Sequence, residues 1–434
     1  MGQRGAFWKF AELGAPAGAT RFDADRDRLE GVGMDMRRTR GRGGLPTIGM
    51  ATIGLLALLP APVAGQETPT DGRTVRLAAD DEAWELTGDS SVGMVDGVPT
   101  LLLRTGYALR RDVAFEDGVI EFDYRGTDER AFLGIIFRTG EDGTAEDVYL
   151  RLHKSKQPDA LQYTPDYGGR GQWQLFHGPD ATAYLALQPD VWTHVKIEVA
   201  GDRAAVTVGE AEEPQLVVPE LASGRSAGFV GWWANQPGAG PGSPLTAAVR
   251  NITITYGQQR AITAGPGPSA SFGLVRAWGV STPFLRDAET DVVTAIPPAV
   301  RSGAWTRVVA RPDGLTPLEP HVERPEGEGV PTVAAGIEIE SDDARTVRLD
   351  LGFSDDASVF LNDRLLYAGH QEFSANFPRR QGLVTLDQAT LYLPLERGRN
   401  TLLVAVSEVF GGWAVMGRIS EREGLTIRTI EMGP

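Results

Sequence analysis

The run Gly118-Val-Ile-Glu-Phe-Asp-Tyr124 alternates apolar and acidic residues. In an extended chain successive side chains point to opposite faces, so Ile120, Phe122 and Tyr124 share one face and Glu121 and Asp123 the other. One face belongs in a core, the other in water. The next run, Ala131-Phe-Leu-Gly-Ile-Ile-Phe-Arg138, is apolar on both faces until Arg138 and predicts a central strand buried on both sides. After a Glu-Asp-Gly turn at 141–143, Val148-Tyr-Leu-Arg-Leu-His153 returns to alternation, with Val148, Leu150 and Leu152 inward and Tyr149, Arg151 and His153 outward.

Working outward, further strands are predicted at 173–176, 192–199, 203–208, 227–233 and 249–256, separated by Gly, Asp and Pro, with no amphipathic helix among them. This spacing predicts an antiparallel jelly roll over 74–256. Residues 257–271, centred on Gly265-Pro-Gly-Pro268, read as a linker. A second β unit spans 272–432, with strands predicted at 274–280, 333–340, 346–353, 358–361, 364–367, 389–393, 401–406, 414–419 and 425–430. Asn362-Asp363 predicts a tight hairpin turn, because both residue types tolerate positive φ. The fold class is therefore all-β, two β-sandwich (jelly-roll) domains after an N-terminal signal peptide.

That signal is read at Met34 to Gly65: arginines at 37, 38, 40 and 42, an apolar stretch from Ile48 to Leu59, and a small-residue exit at Val63-Ala-Gly65. The stretch is short and rich in Gly and Thr for a membrane span. Residues 1–33 have mixed charge and no apolar periodicity, which makes them a probable mis-assigned upstream extension with the start at Met34 or Met36. The chain is thus expected to be exported, to the periplasm, the cell surface or the medium. A formal charge of −16 argues against nucleic acid and anionic lipid as partners. With no cysteine, disulfides, thiolate metal sites and cysteine nucleophiles are excluded.

Trp84, Val95-Asp-Gly97, Phe115-Glu-Asp-Gly118, Gly134-Ile-Ile-Phe-Arg138 and Trp192-Thr-His-Val-Lys-Ile197 together resemble the concanavalin A-like family, within it the laminin-G-type and 3-keto-disaccharide hydrolase-like domains. Leu349-Asp-Leu-Gly-Phe-Ser-Asp-Asp356, Val359-Phe-Leu-Asn362, Tyr392-Leu-Pro-Leu395 and Leu403-Val-Ala-Val406 resemble the galactose-binding-like jelly roll, an accessory domain of many glycosidases. Both resemblances imply a glycan or another polar neutral ligand.

Three functions follow as expectations: glycan binding with the main cleft in the first domain, glycoside hydrolysis of the 3-keto-disaccharide hydrolase-like type, or a structural and adhesive role against a cell-envelope protein. Glu121 and Asp123 are the best catalytic candidates, since retaining glycosidases use two nearby carboxyls. Glucanases of the resembled family carry Glu-x-Asp-x-x-Glu, and here the last position is Gly126, so the acid/base is missing from that register. Arg138, Tyr149, Arg151 and His153 could share the wet face of Glu121 and Asp123 if their strands are neighbours. Tyr163, Tyr167 and Trp173 form one candidate aromatic platform. Of Trp232 and Trp233 at most one should be exposed, because adjacent strand residues point opposite ways. Trp413, in Glu408-Val-Phe-Gly-Gly-Trp413, could cover a ligand or the other domain. No cofactor is indicated; structural calcium, with Asp355 and Asp356 as ligands, is implied by the resemblances. His153 and His177 lack the spacing of zinc ligands.

Overall fold

The computed structural model describes residues 72–238, 243–257, 261–263, 272–290, 292–373 and 381–430. The upstream extension, the export signal, most of the linker and positions 239–242 lie outside them. Four antiparallel sheets account for almost all regular structure described, and the one α-helix among the described residues, Pro298–Arg301, is a single turn.

Strand Gly118–Gly126 lies at the middle of the first sheet, between Thr193–Ala200 and Ala247–Tyr256. Its burial follows the alternation: Ile120, Phe122 and Tyr124 are buried, while Glu121 and Asp123 face outward. Strand Phe132–Thr139 is central in the second sheet, flanked by Ala145–Arg151 and Gly228–Asn235. The inner faces of the two sheets meet in one core, where Trp232 packs edge-on against Phe122 at 5.6 Å and Trp84 at 5.8 Å. Offset and edge-on ring contacts of this kind contribute beyond the area they bury.

A third sheet, built around Val330–Ser341 and Gly398–Ser407, and a fourth, built around Arg345–Ser354, enclose a second core with Trp278 and Trp413 fully buried. The Asn362-Asp363 turn joins strands Asp356–Leu361 and Arg364–His370 with φ of 49° and 67°, the two positive angles that a two-residue hairpin matching strand twist requires.

The two units are packed together. Leu315, Val384, Ala414 and Met416 of the second unit belong to the main core of the first. Segment 173–176, expected to be a strand, is a turn: the amides of Leu175 and Phe176 both donate to the Gln172 carbonyl. That turn wedges into the second unit, where the Gln174 amide donates to the Gly411 carbonyl and its carbonyl accepts from the Val384 amide, both at 3.0 Å. Gly411, at φ 98°, has no room for a Cβ, which would meet Gln174 and the Trp173 indole at 2.7 Å.

Replacing Trp232 by Ala is expected to cost about 3–5 kcal/mol of stability, as for other buried large aromatics. Glu121→Gln, on the solvated face, is expected to change stability by no more than about 0.5 kcal/mol. Chemical denaturation of both variants checks the assignment of faces.

Candidate functional site

Glu121 and Asp123 are flanked by His194 and Asn251 on the neighbouring strands. His194 Nδ1 lies 2.9 Å from Asp123 Oδ1 and its Nε2 3.4 Å from Glu121 Oε1, while Asn251 Nδ2 donates to Asp123 Oδ2 at 2.7 Å. Nearby, Arg250 lies 3.7 Å over the exposed-face indole of Trp192, and Asp96 faces both groups. This is a solvated sheet face whose charges are matched locally.

The residues expected to join that face do not. Arg138, Tyr149, Arg151 and His153 come from the second sheet, on the far side of the sandwich core. Arg138, at φ 50°, turns out of its strand and crosses the sandwich end to the Glu116 and Gly201 carbonyls and Asp117, fixing one sheet to the other. His153 lies past the strand end in the turn Leu152–Lys154, its Nδ1 3.2 Å from the Ala131 carbonyl and its ring against Phe132, and burial lowers its pKa. Neither reaches Glu121 or Asp123, so a catalytic group of Glu121, Asp123, Arg138 and His153 is ruled out by topology.

Tyr149 and Arg151 do point outward, but from the second sheet, and that face is not wet. It carries its own apolar cluster: Leu109, Ile136, Ala145, Tyr149, Phe229 and Trp233, bordered by the half-buried Tyr107, Phe132 and Trp173. This explains why Phe132–Thr139 is apolar on both sides. Gly134 gives the Trp233 indole a place to lie, since a Cβ there would overlap it. Trp232 and Trp233 divide as their alternation requires, Trp232 into the main core and Trp233 into this cluster, where Tyr149 lies 5.7 Å away.

Within this cluster are two acids that the sequence reading passed over. Asp147 is 2% exposed and accepts from Trp233 Nε1 at 3.1 Å. Asp166 is 8% exposed, and its Oδ1 has no hydrogen-bond partner among the described residues. The two are diagonal neighbours, because Asp147 pairs with Thr164 and Ala145 with Asp166. Burial and the charge of Asp166 hold the Asp147 carboxyl well above the usual range, and burial followed by the field of Glu146 pushes Asp166 up to about 8. The Tyr107 hydroxyl is kept protonated by burial and by both acids. Gln162 closes the cluster, accepting from Tyr149 at 2.9 Å and from Arg151, and donating to the Trp173 and Phe176 carbonyls.

Burying an ionised carboxylate costs several kcal/mol, and one charge-assisted hydrogen bond offsets about 1.5–3 kcal/mol of that. The Asp147–Asp166 pair therefore opposes folding.

The remaining candidates are structural. Tyr163 points into the main core, donating to Glu146 and accepting from the Ala222 amide, and Tyr167 donates to the Ala222 carbonyl. Trp413 is buried at the domain junction, its amide 3.3 Å from Gln172 Oε1 and its indole donating to the Val406 carbonyl. Trp173 alone of that platform lies at the rim, with Arg151 5.4 Å over its ring. Asp355 and Asp356 are buried and fully engaged, Asp355 by the Val409 and Phe410 amides and Asp356 by Arg286 and His370. Their oxygens are not available to calcium, and no group of three or more acidic or histidine side chains among the described residues could hold a metal.

Two signals could have exposed the missed pair. A central strand apolar on both faces requires its neighbours' outer faces to be covered, which makes Asp147 a buried acid. Asp166 follows Pro165, a residue that speaks against a strand, yet Leu161–Tyr167 is one.

No family model matches the chain, and no curated protein does. Among solved structures it is similar to the carbohydrate binding module CBM66 of Bacillus subtilis, at 15% identity over 40% of this chain and 95% of that one, TM-score 0.29. A Bacillus subtilis protein with a galectin-like fold shows 12% identity over 44% and 99% of the two chains, TM-score 0.33. The Bacillus licheniformis beta-glucanase shows 13% over 44% and 94%, TM-score 0.28. Likeness at this level extends to neither ligand nor reaction.

The raised Asp166 pKa fixes the sign of a pH effect. Between an ordinary aspartate's 3.8 and about 8, the folded chain holds a proton that the unfolded chain has lost. This group's contribution to stability therefore falls as pH rises through that window. Asp166→Asn is expected to raise the melting temperature over the parent at pH 9 and to leave it nearly unchanged at about pH 3.5, below the ordinary aspartate value, measured by scanning calorimetry. A loss of stability at both pH values would mark Asp166 as an ordinary structural residue.

Proposed function

We propose that this chain is an exported carbohydrate-binding protein whose ligand site is the outer face of the second sheet in the first domain. One observation carries the reading: Asp166, buried, with an oxygen unpartnered among the described residues, and diagonal to Asp147 inside a cluster of aromatic rings. A sugar hydroxyl both donates and accepts, so it can pair with Asp166 Oδ1 whichever of the two carries the proton. The apolar C–H surface of a sugar ring suits the half-buried Tyr107, Phe132 and Trp173. A few polar groups set among apolar and aromatic side chains is the general make-up of small-ligand sites. The chain's charge of −16 favours such a neutral ligand over phosphates. Export rests on the signal read at Met34 to Gly65, and the two family resemblances read in the sequence agree with a glycan ligand.

Hydrolysis is the second reading, favoured by the same pair. A carboxyl that keeps its proton near neutral pH is what a general acid requires, and a second carboxyl on the adjacent strand is the partner that glycoside cleavage needs.

A glycan-array screen of the purified chain, with reducing-sugar release measured on each bound glycan, separates the readings. Saturable binding that falls at least tenfold in Asp147→Asn and is unchanged in Glu121→Gln is the expected outcome. Sugar release abolished in both Asp147→Asn and Asp166→Asn would establish the hydrolase. Silence across the array would overturn both and leave the adhesive role against a cell-envelope protein.

A further inference from the structure

The loop Glu408-Val-Phe-Gly-Gly-Trp413 of the second domain carries two consecutive exposed apolar side chains, Val409 at 38% and Phe410 at 36%. Its backbone is not left to solvent. The fully buried Asp355 accepts both the Val409 and Phe410 amides through Oδ2 at 2.7 Å, and the Gly411 carbonyl accepts from the first domain's Gln174. A loop anchored on a buried carboxylate while presenting two apolar side chains outward is held in place for something outside it.

What lies next to it is the candidate site. Trp233 is 5.7 Å from Tyr149, Arg151 is 5.6 Å over Tyr149 and 5.4 Å over Trp173, and Trp173 is 6.2 Å from Phe410. Phe373, also of the second domain, meets Trp173 edge-on at 5.6 Å. Rings and one guanidinium thus form an unbroken row from the acid pair across the domain boundary. Four side chains, Trp233, Tyr149, Arg151 and Trp173, stand between Asp147 and Phe410 along this row.

We infer that the second domain completes the binding site, with Phe410 and Val409 as a distal subsite, and that the glycan bound is an extended chain of several units. The inference rests on the carbohydrate reading above. Phe410 acts there as a specificity element that selects for chain length, and the Asp355 carboxylate acts as its positioning residue.

The test uses the full chain and homo-oligosaccharides of glucose, xylose, mannose, galactose and N-acetylglucosamine, each at two and six units, titrated calorimetrically. Phe410→Ala is expected to weaken the six-unit ligand about tenfold, the size of one well-made ring contact, and to leave the two-unit ligand unchanged. Phe410→Tyr is expected to restore six-unit binding. Equal affinities of parent and Phe410→Ala for the six-unit ligand, or an equal loss at both lengths, would overturn the distal subsite while leaving the carbohydrate reading standing. Failure of the parent to bind any of these sugars would overturn both.

Discussion

The second sheet of the first domain is apolar on both faces, and a sheet of that kind is stable only when both are covered. Its inner face is met by the first sheet across a core in which Trp232 touches Trp84 and Phe122. Its outer face gathers Trp233, Tyr149 and Phe229 into a second cluster and draws the 172–177 turn over one end, locked by Gln162. That turn is also the wedge into the second domain. Cover for the sheet and contact between the domains are therefore one arrangement, and the shared core that includes Val384 and Met416 follows from it.

Charge is handled differently on the two outer faces. On the first sheet, acids and bases alternate across neighbouring strands in partial solvent, so each carboxylate has a partner and the net effect on stability is small. On the second sheet, Asp147 and Asp166 are withdrawn from water with one hydrogen bond from Trp233 between them. The junction shows that this fold can pair buried acids when pairing is all that is required: Glu319 sits between Arg170 of the first domain and Arg324 of the second, each with a contact of 2.5 Å. The same junction also holds Glu408, which like Asp166 keeps one buried oxygen without a hydrogen-bond partner among the described residues.

Much of the architecture was legible in the sequence. Alternation placed Ile120, Phe122 and Tyr124 inward, positioned most strands of both sandwiches to within a few residues, and read the Asn362-Asp363 hairpin from its turn chemistry. The alternation also separated Trp232 from Trp233. It could not say which strands neighbour which. Glu121 and Asp123 could share a face with Arg138 and His153 only if their strands were neighbours, and the strands lie in different sheets. Asp355 and Asp356 looked like acidic turn residues open to calcium, whereas long-range contacts with Arg286, His370 and the Val409 and Phe410 amides bury and occupy them.

What the sequence by itself determined is each strand's two faces, because side-chain direction in an extended chain is a local property with a period of two. What only the tertiary structure decided is which of those faces meets water. The outward side of Ala145–Arg151 is polar by composition and buried in fact, since its environment comes from Trp233, Tyr107, Gln162 and the 172–177 turn, all remote along the chain. An acid's pKa depends on the dielectric and charges around it, and those are set by packing between distant segments. Asp147 and Asp166 are ordinary letters in the sequence and become diagonal neighbours in a buried cluster only once the strands pair.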